Sequence, residues 1–381
     1  MVQADLSYAP GQVCQLRSME PSRRETLVPS ACWLRPVIEM KFELLDSSQV
    51  RWSELDGFED RLVFQKKEWM KFLADTQGAT PVIAALRDAS TTVGYFSGLT
   101  FQRAGIRILG SPFPGWTTAY MGFNLLPHVP REEALRALTP FAFRDLKCMH
   151  LEVSDRFVSN EQGESVGFSS SLCHTLVTDL TCSEKELFGR MTGACRQCIR
   201  RAEKSGVRIE EALDEDFADD YYEQLREVFG KQGLIPTYGL HRVKQLIHHL
   251  LPTGNLLLLR ARDSQGECIA TGIYLALNKL EAFYWGNASF RHGQNLRPNE
   301  LLNWYAMRYW KQRGLQVFDW GGADYCRRFK AKFGTEPSSY SRFRKSRFGL
   351  VGFLRQQAEG MFNLKQRVIG MVRSPYNNAH R

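Results

Sequence analysis

The chain has 381 residues, of which 43% are hydrophobic and 12% aromatic, enough to build packed cores and too much for a disordered chain. Its length favours two domains over one, and no apolar run approaches the length that spans a bilayer. The net charge of +9 sits almost wholly in the last forty residues. Ser341–Arg381 carries nine Lys or Arg against one acid, Glu359, so the body is near neutrality and does not read as a DNA binder.

In chain order, residues 1–40 are polar and irregular and are expected to form a flexible leader without a secretory signal pattern. A first domain is expected over residues 41–178. It opens with a helix around Phe64 to Phe72. Strands follow at Pro81 to Leu86, Val93 to Thr100 and Ile106 to Leu109, with a turn at Arg87-Asp88-Ala89-Ser90. The loop GSPFPGWTTAYMGF interrupts this meander, Pro130 opens a helix, and Met149 to Val153 closes the unit.

A second domain is expected over residues 179–345. It begins with TDLTCSEKELFGRMTGACRQCIRRAEKSGV, where Ser183 and Glu186 have capping-box spacing. Helices at Phe217 to Phe229 and Leu240 to Leu251 precede strands at Leu256 to Arg260, Cys268 to Leu277 and Leu280 to Gly286. Pro298 then opens a helix and Gly314 closes it. Leu302, Tyr305, Ala306 and Tyr309 recur at helical spacing on its core face, and a strand runs from Leu315 to Trp320. The order of the first unit thus recurs in the second. Pro130 to Glu152 and Pro298 to Asp319 cover nearly equal lengths, which points to duplication. The fold class expected is α/β with α+β mixed sheets: two tandem domains, each a mixed, mostly antiparallel sheet flanked by helices.

Residues 346–381 form a basic amphipathic tail in which Phe348, Phe353, Leu354, Phe362 and Ile369 interleave with Arg347, Arg355, Lys365 and Arg367. Such a segment either lies on an anionic membrane surface or docks on the protein with its basic face in water.

Three basic side chains, Arg196, Arg200 and Lys204, fall at successive i, i+4 positions on one helical face. Either an anionic substrate group such as a phosphate offsets their repulsion, or neighbouring acids such as Glu203 do. Other motifs carry less. Cys195-x-x-Cys198 is a single pair without histidines at zinc spacing, so no metal is expected. The nine cysteines have no framework spacing, which suggests a reducing cytosol. No Walker loop or dinucleotide fingerprint is present.

Together RQCIRRAEKSGV, GNASF, NLRPNELLNW, FDWGG, FKAKFG and GSPFPGW resemble the Fem-like branch of the GNAT acyltransferases. That branch holds peptidoglycan bridge-forming aminoacyltransferases and related cell-envelope or polysaccharide N-acyltransferases. The resemblance spans about residues 50 to 345. It implies two GNAT-like domains and transfer of an acyl or aminoacyl group to an amine of an envelope or exopolysaccharide precursor. No cofactor would be held permanently; acyl-CoA or an aminoacyl-tRNA would be the donor co-substrate. The matching FK pair implies Lys330 at the reacting centre with Phe329 packed beside it. An amine attacking a thioester or ester creates an oxyanion and must lose a proton. Lys330 would serve the oxyanion, and Asp319, at the end of the last strand, is the candidate base, in competition with Asp324. The alternatives are an ordinary lysine and a carboxylate bonded to the Gly321-Gly322 amides.

Donor phosphates are expected near Gly293, Asn295, Arg297 and Asn299, although Arg291 to Arg297 departs from the GNAT phosphate loop. The acceptor is expected near Arg196, Arg200, Lys204, Trp116 and Tyr284. Residues 206–255 show two ordinary helices rather than the long helical hairpin of tRNA-using members, so tRNA is not the favoured donor. The implied place of work is the cytoplasm, at the inner face of the plasma membrane. The competing reading is a catalytically silent tandem-GNAT protein that binds a lipid-linked or glycan ligand.

Overall fold

A computed structural model describes residues 40–355 and 357, apart from 104, 232, 278–279 and 323–325. Residues 1–39 of the expected leader, residues 358–381 of the tail, and Asp324 lie outside the described residues.

The first half contains β1 (Lys41–Leu44), α1 (Trp52–Leu55), α2 (Lys67–Gln77), β2 (Thr80–Asp88), β3 (Thr91–Arg103), β4 (Ile106–Ser111), β5 (Phe123–Leu125), α3 (Arg131–Pro140), β6 (His150–Asp155), α4 (Asn160–Ser165) and β7 (Ser169–Asp179). The second contains α5 (Glu184–Arg190), α6 (Gly193–Lys204), β8 (Arg208–Glu211), α7 (Phe217–Gly230), α8 (Leu240–Leu250), β9 (Leu256–Arg262), β10 (Cys268–Leu277), β11 (Glu281–Ser289), α9 (Pro298–Gln312), β12 (Val317–Gly322), α10 (Arg327–Lys330) and β13 (Glu336–Ser346).

Local chemistry sets these limits. Pro298 occupies the first turn of α9, where no N–H is needed, and Gly314 leaves it at φ 82°. Ser183 and Glu186 make the expected capping box, but it caps the short α5. The chain then breaks at Met191, and Thr192 caps α6.

Each half repeats one plan: an antiparallel meander, a helix, and a strand that returns parallel. The parallel pairs are β4 with β6 and β11 with β12. The two meanders nevertheless share one continuous mixed sheet, ordered β1-β2-β3-β4-β6-β13-β7-β12-β11-β10-β9-β8, with β5 on β3. The joint is an exchange. β7 precedes the second half and pairs with β12, whereas β13 follows it and pairs with β6. The two strands also pair with each other from Glu336↔Val177 to Arg344↔Ser169.

Side chains alternate across this sheet and divide the core. On one face α2, α7 and α8 cover a cluster shared by both halves, with Trp69, Phe72, Leu99, Tyr120, Phe217, Leu246, Ile273 and Phe283. The other face is split. Helices α6 and α9 cover Leu302, Trp310, Phe318, Trp320 and Phe333, and α3 covers Leu109, Leu138, Leu151 and Phe343.

Candidate active site

The parallel pairing of β11 with β12 runs from Glu281↔Val317 to Phe283↔Asp319 and stops. Beyond it, the β10–β11 register skips Trp285, a bulge that turns β11 away. On the other side β12 stays on β7, with its own irregularity between Asp319 and Gly322. The two strands therefore part into a wedge at Tyr284 and Gly321-Gly322, and wedges at strand carboxyl ends are where α/β sheets admit ligands.

Lys330, on α10, fills the base of this wedge. Its side chain is 4% exposed. The Nζ donates to the Gly322 carbonyl at 3.0 Å and stands 5.4 Å from the Tyr284 ring centroid. Among the described residues it has no carboxylate in ion-pair contact. Burial pulls its pKa below the usual lysine range, against the raising pull of Cys326 and Asp319. The result is a concentrated cation held by a carbonyl and a π face in a water-poor setting, the environment in which a charge acts most strongly on a developing oxyanion.

The turn that delivers Lys330 is packed from below. Phe333 stacks on Trp320 at 4.6 Å, and Phe329 meets Phe333 edge-on at 5.4 Å. Gly334 closes the turn at φ 67°, with a Cβ there only 3.0 Å from Arg190. Tyr284 lies between Trp320 and Tyr274. Lys330 and Tyr284 are thus brought together, with Phe329 packed on Phe333 in the turn that carries Lys330.

Asp319 is not placed with them. Strand alternation puts Phe318 and Trp320 on the face of Lys330 and turns Asp319 to the opposite face, where it is 1% exposed. It accepts hydrogen bonds from the Gly321 amide at 2.7 Å and from Thr175. The alternative of a carboxylate bonded to the glycine backbone is what the structure shows, and a role as substrate base is not supported.

Around Asp319 lies a network absent from the sequence reading. The Tyr120 hydroxyl is 2.5 Å from Glu281 Oε2 and 3.0 Å from Asp319 Oδ2. Arg156 pairs with Glu281. One hydroxyl proton faces two carboxyl oxygens, an arrangement that favours a protonated acid within the pair. Burial raises both carboxyls, Glu281 to about 7, with repulsion from Asp319 adding to it. Glu281 Oε1, buried without a hydrogen-bond partner among the described residues, fits a protonated acid. Tyr120, Arg156 and Thr175 come from the first half and Glu281 and Asp319 from the second, so the network locks the halves behind the wedge.

The donor-loop candidates separate. Gly293 is a packing requirement, since a Cβ there would stand 2.6 Å from that of Ile269. Asn299 Nδ2 donates to Ser289 Oγ at 3.0 Å and ties the end of β11 to the start of α9. Asn295 and Arg297 are exposed at the same corner, and no side chain caps α9 there. Its first amides are therefore open to an anion, with Arg297 adjacent.

The acceptor candidates do not converge. Arg196 donates to the Gly189 and Met191 carbonyls that end α5. The Arg200 guanidinium lies 5.6 Å from the Phe188 ring centroid, and Lys204 is exposed. Trp116 belongs to the opposite face, 4.7 Å from Phe113 and 6.0 Å from Phe101, with its carbonyl accepting from Arg242. These four serve helix ends, packing and the surface rather than the wedge.

Comparison with known proteins bears on the fold. Residues 190–331 match the acetyltransferase (GNAT) domain family. Among solved structures, FemX superposes with a TM-score of 0.64 at 14% identity, over 78% of this chain and 96% of that one. A conserved protein of unknown function from Bacteroides thetaiotaomicron gives 0.53 at 11% identity, over 79% and 99%. No curated protein sequence matches significantly. The expected mixed α/β fold is borne out, as one continuous sheet in place of the two expected; residues 190–331 match a GNAT acetyltransferase domain, and FemX shares the fold.

Proposed function

We propose, from a chain whose second half is a GNAT-type acyltransferase domain, that Lys330 lies at the reacting centre of an N-acyl or N-aminoacyl transfer to a cell-envelope or exopolysaccharide precursor. The observation that carries this reading is the buried Lys330 ammonium at the base of the β11–β12 wedge. In the proposed reaction, the amine of the acceptor attacks the carbonyl carbon of the donor. The carbonyl oxygen takes the negative charge beside Lys330 Nζ, the C–S or C–O bond to the donor breaks, and the amine proton passes to solvent or the leaving group.

The donor's phosphates fit the uncapped amides at the start of α9, with Arg297 beside them, which suits an acyl-coenzyme A. Helices α7 and α8 are 14 and 11 residues long and pack on the sheet, giving no extended arm for tRNA among the described residues. Thermal-shift screening with acetyl-coenzyme A, followed by thiol release in the presence of amino-sugar and peptidyl-amine acceptors, tests the reading. Stabilisation by the donor and acceptor-dependent thiol release are expected. Stabilisation by glycan ligands with no turnover for any donor favours the silent binding protein instead.

A further inference from the structure

Beyond the last strand the chain turns back onto the sheet. Residues 349–355 are helical and cover the ends of β6 and β13. A polar clamp holds them there. Arg355 donates to Glu152 Oε1 at 2.5 Å, the same oxygen lies 3.2 Å from His150 Nε2, and His150 Nδ1 is 2.7 Å from Ser346 Oγ. Gly352 is pressed against this clamp, since a Cβ there would meet Ser346 Oγ at 2.7 Å. Glu152 is fully buried, so the charge on Arg355 is matched from inside the protein.

With Gly352 and Arg355 facing inward, the outer face carries apolar groups. Phe348, Leu350, Phe353 and Leu354 are 54, 69, 57 and 48% exposed. They make up four of the nine exposed large apolar side chains among the described residues, within seven positions. Scattered singly they would need no account; gathered on one short helix and the residue before it, they do. Beneath them is a cavity of about 530 Å³ lined by Arg344, Lys345, Arg355, His150, Ser169 and Ser346, together with Phe353 and glycines. Its described lining carries Arg344 and Lys345 besides Arg355, whose charge Glu152 already matches.

We propose that this corner docks on an anionic phospholipid bilayer, the cavity receiving a lipid phosphate while Phe348, Leu350, Phe353 and Leu354 enter the acyl-chain boundary. Charge decides for lipid over a protein partner. The cavity is cationic, and the sequence from Ser341 onward holds nine Lys or Arg against one acid, interleaved with apolar residues as far as Met371. The surface is independent of the acyl-transfer reading. The sequence posed lipid and protein as alternatives for this segment. The structure shows one face of residues 349–355 docked on the protein, with Leu350, Phe353 and Leu354 exposed on the other.

Flotation of the full-length protein with phosphatidylcholine vesicles, with or without phosphatidylglycerol, tests it. Binding is expected only to the anionic vesicles and should weaken with salt. Arg344→Gln with Lys345→Gln should weaken it by about fivefold per charge. Leu350→Ser with Leu354→Ser should weaken it about tenfold or more, with an unchanged melting temperature. Leu213→Ser, at an 81% exposed site elsewhere, should change nothing. Should the paired ridge variant melt early, Leu350→Ser alone carries the test. Absence of flotation, or equal flotation with neutral vesicles, overturns the proposal. So does stabilisation by inorganic phosphate without flotation, which assigns the cavity to a free anion. A dimer in solution that Leu350→Ser dissociates, again without flotation, gives the ridge to a second copy.

Discussion

Replacing Glu281 by Gln should remove a pH dependence that the wild-type fold carries. A rise from the ordinary 4.5 to about 7 is worth about 3 kcal/mol of pH-dependent stability. Glu281 is 7% exposed, so solvent screens little of it. The folded protein holds a proton that the unfolded chain has released between those two values. The stability contributed is full below about 4.5 and is lost as pH rises through about 7. Asp319 is displaced in the same direction by burial, and the Tyr120 hydroxyl spans the pair. The two carboxyls therefore behave as one shared proton rather than two. Glu152 does not interfere. Burial pushes it up, but bonds from His150 and Arg355 outweigh that and hold it near 2, so its contribution is full above about 4.5 and is lost as pH falls from there through about 2. At roughly 2 °C per kcal/mol for a chain of this size, the wild-type melting temperature should fall by about 6 °C from about pH 5 to about pH 8. A neutral amide keeps a carbonyl for Tyr120 and has no proton to lose. Thermal melts by circular dichroism in matched buffers should show the decline in wild type and its absence in Glu281→Gln. A decline of equal size in both proteins refutes the assignment, as does a flat wild-type profile.

Two further substitutions separate packing from chemistry. Trp116→Ala should cost about 2 kcal/mol by opening the Phe101–Phe113 cluster while leaving the acceptor KM unchanged; a raised acceptor KM would return Trp116 to the site. Gly334→Ala forces a side chain into a left-handed turn against Arg190, and should lower stability by about 1–3 kcal/mol. Because that turn carries Lys330, turnover should fall with it, and wild-type melting and turnover would show that the turn is not strained.

The punctuated elements were legible. Pro298 and Gly314 bound α9, and Cys268 to Leu277 coincides with β10, because proline, glycine and apolar runs act locally. The two strands that join the halves were not. β7 and β13 read SSSLCHTLVTD and EPSSYSRFRKS, polar sequences whose strand state depends on pairing with residues far along the chain. The exchange follows from that long-range pairing, so the meanders appeared as separate sheets. The FK motif singles out Lys330 in the sequence. Asp319 was misplaced although the signal was present, since Phe318-Asp319-Trp320 alternates and puts the acid on the face away from two core aromatics. Tyr120 and Glu281, separated by 161 positions, carry no local signature of their contact.

The most direct measurement is the rate of acyl transfer by Lys330→Met, which keeps the side-chain volume and removes the charge. With acetyl-coenzyme A and the acceptor that supports thiol release by wild type, the account predicts a loss of about a hundredfold or more in kcat, with donor-induced stabilisation and the melting temperature retained. Wild-type turnover by the folded variant would contradict it.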